Sequence, residues 1–199
     1  TECRRQRQMC IRDRYNSRYQ GFTPPSRPTA HAVTGQGEVN IYWDNAAEYS
    51  RDVVTGYADF EGYKIYKSRD GGNTWGNPDD MIYDTDGIFA GWRPYRQYDL
   101  SAEEDSLHCV YSRGFDCPEE SRRGHPINGQ DPYFPWFSLG TDTGLDAIRL
   151  DEPVVINGDT MRYMFKDQNV TDGLEYTYSI VAYDMGVEPP FKETYADIG

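Results

Sequence analysis

The chain has 199 residues, of which 37% are hydrophobic and 15% aromatic, with seventeen tyrosines. That is enough apolar material for one buried core, and the aromatic content excludes a disordered chain, which is poor in such residues. A net charge of −13 excludes ordinary nucleic-acid binding, because so acidic a surface repels phosphate backbones, and no run reaches the roughly 18 apolar residues of a membrane span.

Charge is unevenly spread. Residues 1–14 hold five arginines against Glu2 and Asp13, leaving 15 basic and 31 acidic residues beyond them, a balance of −16. The run Arg4-Arg5-Gln6-Arg7-Gln8-Met9-Cys10-Ile11-Arg12-Asp13-Arg14 resembles, codon by codon, the translation of a transposase-type sequencing adapter. Residues 1–14 are therefore expected to be an adapter-derived artefact of a shotgun-assembled environmental genome and are set aside before fold reasoning. The chain stops in mid-phrase at Asp197-Ile198-Gly199, with no apolar leader at its start, so a C-terminally truncated internal fragment is expected.

Residues 15–25 are polar and end in Pro24-Pro25, which predicts a linker. Thr29 to Thr34 predicts an edge strand, where the preceding prolines are tolerated, and Gly35-Gln36-Gly37 a turn. Glu38 to Asp44 alternates and places Val39, Ile41 and Trp43 on one face. Phe60 to Ser68 alternates again, with Tyr63 and Ile65 inward. Leu174 to Tyr183 does the same, with Tyr176, Tyr178, Ile180 and Ala182 inward. No segment carries a capped 3.6-residue apolar period, so little helix is expected. The fold class predicted is all-β, a two-sheet antiparallel sandwich with Trp43, Tyr63, Ile65, Tyr176 and Ile180 in one core.

These strands carry a resemblance. Val39-x-Ile41-x-Trp43, Gly62-Tyr63-x-Ile65-x-Lys67 and Asp172 to Ala182 resemble strands B, C and F of fibronectin type III domains, an immunoglobulin-like sandwich, across about residues 26–70 and 165–195. The resemblance implies that Tyr176 is a tyrosine-corner residue bonding back to upstream backbone. About 100 residues separate the second and third strands, far more than the family needs, so an elaborated insertion is expected at about 76–160 within a domain spanning 26–199. The segments Asp59 to Tyr66, Gln97 to Leu100, Leu139 to Leu145 and Ala182 to Gly186 are also similar to modules of very large exported proteins of marine bacteria. That likeness implies an extracellular or cell-surface location. It also implies partners among other domains of the same polypeptide, or protein or glycan at the surface, with neither nucleic acid nor membrane span.

In an exported protein Cys109 and Cys117, eight apart, would most simply form a disulfide; free thiols and a zinc site with His108 or His125 are the alternatives. Ser68-Arg69-Asp70-Gly71-Gly72-Asn73-Thr74-Trp75 fits the Asp-box pattern that sialidases and other propellers repeat. One copy predicts a hairpin turn rather than a propeller. Asp84 and Asp86 before Gly87 are weak calcium candidates, lacking EF-hand spacing, and no other cofactor is indicated. Trp92, Tyr133 and Trp136 are candidates for stacking on a ligand or for a small core under the insertion. Phosphate loops, G-x-S-x-G and H-E-x-x-H are absent, and no carboxylate pair stands out from the acidic background, so no catalytic residue is assigned. The expected role is a noncatalytic spacer, adhesion or display module. A carbohydrate-binding accessory module and a glycoside hydrolase fragment are the rivals.

Overall fold

A computed structural model describes residues 23–53, 55–111, 117–131 and 134–186. The expected adapter-like segment, most of the linker, Tyr133 and residues 187–199 lie outside these. Thr23 N donates to Asp52 Oδ2 (2.6 Å) and Pro25 is buried, so the last residues of the expected linker already pack on the domain.

Strand β1 (Ala30–Gly35) turns through Gly37, at φ +68°, into β2 (Glu38–Trp43), and β3 (Phe60–Ser68) follows a short 3-10 turn at Ala46–Tyr49. A ribbon of β4 (Met81–Tyr83) and β5 (Phe89–Trp92) leads to β6 (Arg96–Asp99) and the six-residue helix α1 (Ala102–Leu107). That helix is started by a capping box, with Glu104 N donating to Ser101 Oγ and Ser101 N to Glu104 Oε2. A second ribbon pairs β7 (Gly129–Gln130) with β8 (Ser138–Gly140), before β9 (Arg149–Ile156), β10 (Asp159–Asp167) and β11 (Thr177–Asp184). Among the described residues no helix is long and apolar enough to cross a membrane.

All pairings are antiparallel. One sheet runs β1-β2-β10-β9 and the other β11-β3-β6. The alternation of Val39, Ile41 and Trp43 buries those three residues against Tyr63, Ile65 and Ile180 from the other sheet. Trp43 and Tyr163 face each other in register and stack at 5.8 Å, while Tyr63 reaches across with its centroid 5.7 Å from Trp43 and 5.3 Å from Tyr163. Both tyrosine hydroxyls donate to Glu48 Oε1, at 3.2 and 2.5 Å, so the 3-10 turn satisfies the two hydroxyls, while Trp43 Nε1 has no hydrogen-bond partner among the described residues. Tyr176 stands outside this cluster and is half-buried. It precedes the first paired residue of β11, so the strand's alternation does not carry its ring inward.

The stretch read as an insertion, about 76–160, is woven into both sheets. Gly62 to Ile65 of β3 pair with Arg96 to Asp99 of β6, and β9 forms the outer strand of the first sheet against β10. Gly62 is required there, because a Cβ would lie 2.3 Å from Tyr98 O.

Two buried polar centres fasten the remainder. Arg123, wholly buried, donates through Nη1 to Glu61 Oε2 (2.6 Å) and to Asp105, and through Nη2 to Phe60 O (3.1 Å). Asp105 also accepts from Ile127 N (2.7 Å), so one guanidinium joins β3, α1 and the segment after it. Asp99, fully buried at the end of β6, accepts from the backbone amides of Thr141, Asp142 (3.1 Å) and Thr143 (3.0 Å) and from both threonine hydroxyls. Removing one partner of a buried ion pair leaves the others buried and uncompensated. Arg123→Leu is expected to cost about 3–5 kcal/mol in urea unfolding. A loss near that of an exposed pair, below about 1 kcal/mol, would contradict the structural weight given to this residue.

Candidate functional site

The candidate site lies where the open end of β3 meets the entry to β6. Antiparallel pairing sets Ile65 opposite Arg96, so Lys67 to Arg69, leaving β3, run alongside Arg93 to Tyr95, approaching β6. The Asp-box turn closes one side. Asp70 Oδ1 accepts from Ser68 Oγ (2.7 Å) and Thr74 N (2.9 Å), and Oδ2 from Thr74 Oγ1 (2.8 Å). Backbone donation from Thr74, followed by the Ser68 and Thr74 hydroxyls, lowers the Asp70 carboxyl to about 2. Gly71 and Gly72 turn at φ +72° and +91°, and the Trp75 ring lies over Gly72. The carboxylate of this box therefore holds the turn.

Between the turn and the 93–96 segment is a cleft of about 530 Å³. Lys67, Arg69, Arg93 and Arg96 line it, with Trp75 and Tyr95 as its aromatic surfaces and Asp70 and Asp80 as its carboxylates. Lys67 is committed to the fold, since its Nζ is 2.7 Å from Asp167 Oδ2 and bonds Asn169 O. Asp167 is in turn held below the usual carboxylate range by Lys67, Tyr178 and Tyr95 acting against its burial. Arg96 lies 4.5 Å over the Tyr95 ring and Arg69 5.9 Å from the Tyr176 ring. Among the described residues no carboxylate pairs with Arg69, Arg93 or Arg96.

The other sequence candidates fall elsewhere. Cys109 and Cys117 are bonded to each other, with Cα atoms 5.8 Å apart. Asp84 Oδ1 accepts from Asp86 N (2.9 Å) and Ile88 N (2.8 Å), so it shapes the β4–β5 turn, and Asp86 is exposed. Among the described residues no three His, Cys, Asp or Glu side chains come together to hold a metal. Trp92 and Trp136 are half-buried, Trp92 against Phe89 and Trp136 against Phe134 and Phe137. The Phe137 ring lies against Gly91, so the two aromatic segments hold the β4–β5 ribbon to the loop before β8. His31 Nε2 meets Asp159 Oδ2 at 2.8 Å on the outside of the first sheet.

The carboxyls raised by burial do not line the cleft. Burial pushes Glu61 up to about 8 despite Arg123, and burial followed by Asp184 pushes Asp59 to about 7. One guanidinium cannot balance two buried carboxylates, so the Glu61–Arg123–Asp105 group holds a proton at neutral pH. Glu61 Oε1, with no hydrogen-bond partner among the described residues, is the less costly for being neutral. His108, by contrast, is pushed down to about 4 by burial and the Arg123 charge.

No protein-family model matches the chain, and no curated protein or solved structure matches it significantly.

The buried groups set a pH dependence. The stability contributed by Glu61 and Asp59 is complete below their ordinary values of 4.5 and 3.8 and drains as pH rises through about 8 and 7. The His108 contribution has the opposite sign, but it is complete above its ordinary value of 6.5. Between pH 6.5 and 8 the unfolding free energy is therefore expected to fall, by up to about 1.4 kcal/mol per pH unit for each titrating group, and less steeply in Glu61→Gln. A flat or rising profile across that window would count against a protonated centre.

Proposed function

We propose that the chain is a fibronectin type III-like domain that serves as a noncatalytic spacer and interaction module of a large exported bacterial protein. Strand order carries the reading. Taking β1, β2, β3, β9, β10 and β11 as strands A to F gives A-B-E-D in one sheet and F beside C in the other, the arrangement of immunoglobulin-like sandwiches, with β6 in the C′ position. Tyr176 adds support. Its hydroxyl accepts from Thr171 N (3.0 Å), five residues upstream at the start of β11, which is the bond a tyrosine corner makes.

Two observations favour a module over an enzyme and an exported over a cytosolic setting. The cleft carboxylates are Asp70, which is consumed by its turn and held low by it, and Asp80, which accepts from Asn77 N (2.8 Å), so neither stands out as a general acid. A disulfide such as Cys109–Cys117 persists in oxidising compartments and is rare where glutathione keeps thiols reduced.

Protein recovered from an oxidising compartment is expected to resist alkylation at Cys109 and Cys117 until reductant is added, and reduction is expected to cost roughly 2–3 kcal/mol for so short a loop. On a panel of chromogenic glycosides, sialosides and esters it is expected to turn over nothing faster than buffer does. Alkylation of both cysteines in the folded, unreduced protein would undo the exported setting. Turnover abolished by Asp80→Asn would undo the noncatalytic one.

A further inference from the structure

The cationic cleft is the strongest departure of this molecule from its own composition. The chain carries 33 acidic and 20 basic residues, so an arginine has an ample choice of carboxylates. Three arginines nevertheless gather on one cleft without pairing with a carboxylate among the described residues, and they outnumber the cleft's two carboxylates, Asp70 and Asp80, even with Lys67 set aside as the partner of Asp167. Mutual repulsion of guanidiniums that lack a carboxylate works against stability, and the ring contacts of Arg69 and Arg96 leave all three side chains exposed. An arrangement of this kind is suited to an anion from outside.

We infer that this cleft binds an oligosaccharide bearing carboxylate or sulfate groups. Each guanidinium presents a planar fork that matches a carboxylate or sulfate through paired N–H donors. Trp75, half-buried, offers ring surface to the apolar face of a sugar, beside Tyr95, whose ring carries the Arg96 guanidinium. Asp80, lining the same cleft, is an acceptor for sugar hydroxyls. Cations alone would serve any polyanion. Cations beside aromatic rings and a carboxylate acceptor serve a ligand that combines acidic groups with hydroxyl donors, and the carboxylates together with the overall charge of −13 work against a nucleic acid. The volume, about 530 Å³, lies within the roughly 300–1,000 Å³ typical of ligand clefts. The backbone that carries the cations is held in place because β3 and β6 are paired and the Asp-box turn is tied by its own hydrogen bonds.

This inference rests on the reading of the chain as a noncatalytic module and gives that module a ligand class. Calorimetric titration of the whole chain with a galacturonate hexamer, a sulfated galactan oligosaccharide, a neutral galactan oligosaccharide of equal length and a dodecamer of thymidylate tests it. Binding is expected for at least one acidic sugar, with the uronate and sulfate arms showing which acidic group the forks prefer, and at least tenfold weaker binding for the neutral sugar and the oligonucleotide. The double variant Arg69→Ala/Arg93→Ala is expected to weaken the acidic sugar at least tenfold while its thermal midpoint stays near that of the parent. No binding of either acidic sugar, equal binding of the oligonucleotide, or undiminished binding by the folded double variant would each overturn the site. Chain length of the sugar after incubation separates the two proposals. A sugar bound and recovered intact upholds both, whereas one bound and shortened upholds the site and removes the noncatalytic reading.

Discussion

A single buried guanidinium ties this protein together. The Arg123 side chain is fully buried, and its donors reach Glu61 and Phe60 of β3 and Asp105 of α1. Burying an arginine is expensive, and it is tolerated only where partners and hydrogen bonds replace the lost hydration. Here those partners come from stretches more than forty residues apart, so satisfying the charge requires those stretches to meet. The Asp99 carboxylate works in the same way with opposite charge, drawing the Thr141 to Thr143 amides onto the end of β6.

This constraint explains why a sandwich with about 100 residues between two neighbouring strands can still be one body. Long excursions normally have to supply their own structure. In this chain the excursion contributes β6 to one sheet and β9 to the other, and its ribbons and helix are fastened by buried charge more than by a second apolar core. The smaller apolar cluster of Val110, Ile127, Leu139 and Met185 is modest beside the sandwich interior built on Trp43, Tyr63 and Tyr163. The cleft follows from the same weaving. Its walls, the exit of β3 and the approach to β6, exist because β6 is hydrogen-bonded to β3.

Much of the sandwich was legible in the sequence because strand alternation is a local signal. Val39, Ile41 and Trp43, then Tyr63 and Ile65, declare their buried face within six residues, and the Asp-box declares its turn within eight. Tyr176 marks where that signal runs out, since alternation says nothing about where pairing begins. Strand β6 was hidden in an expected insertion because its partner β3 lies about thirty residues away, whereas β9 turns straight into β10 through Asn157-Gly158 but carries Pro153 and exposed valines that do not read as a core strand. Arg123 was hidden for a different reason: arginine is almost always a surface residue, and only three-dimensional proximity to Glu61 and Asp105 makes it interior. The cleft cations come from two segments some twenty-five residues apart, and neither alone forms a basic run.

Native-state hydrogen exchange tests the central claim most directly, by comparing the amides of Ile127, Thr141 and Thr143 with those of Ile65 and Ile180. If Arg123 and Asp99 make one cooperative unit, all five exchange with the same opening free energy and the same denaturant slope. Exchange of the first three through a separate, lower-energy opening, with Ile65 and Ile180 still protected, would mean that the excursion is merely attached to an independent sandwich and that the buried arginine does not unite them.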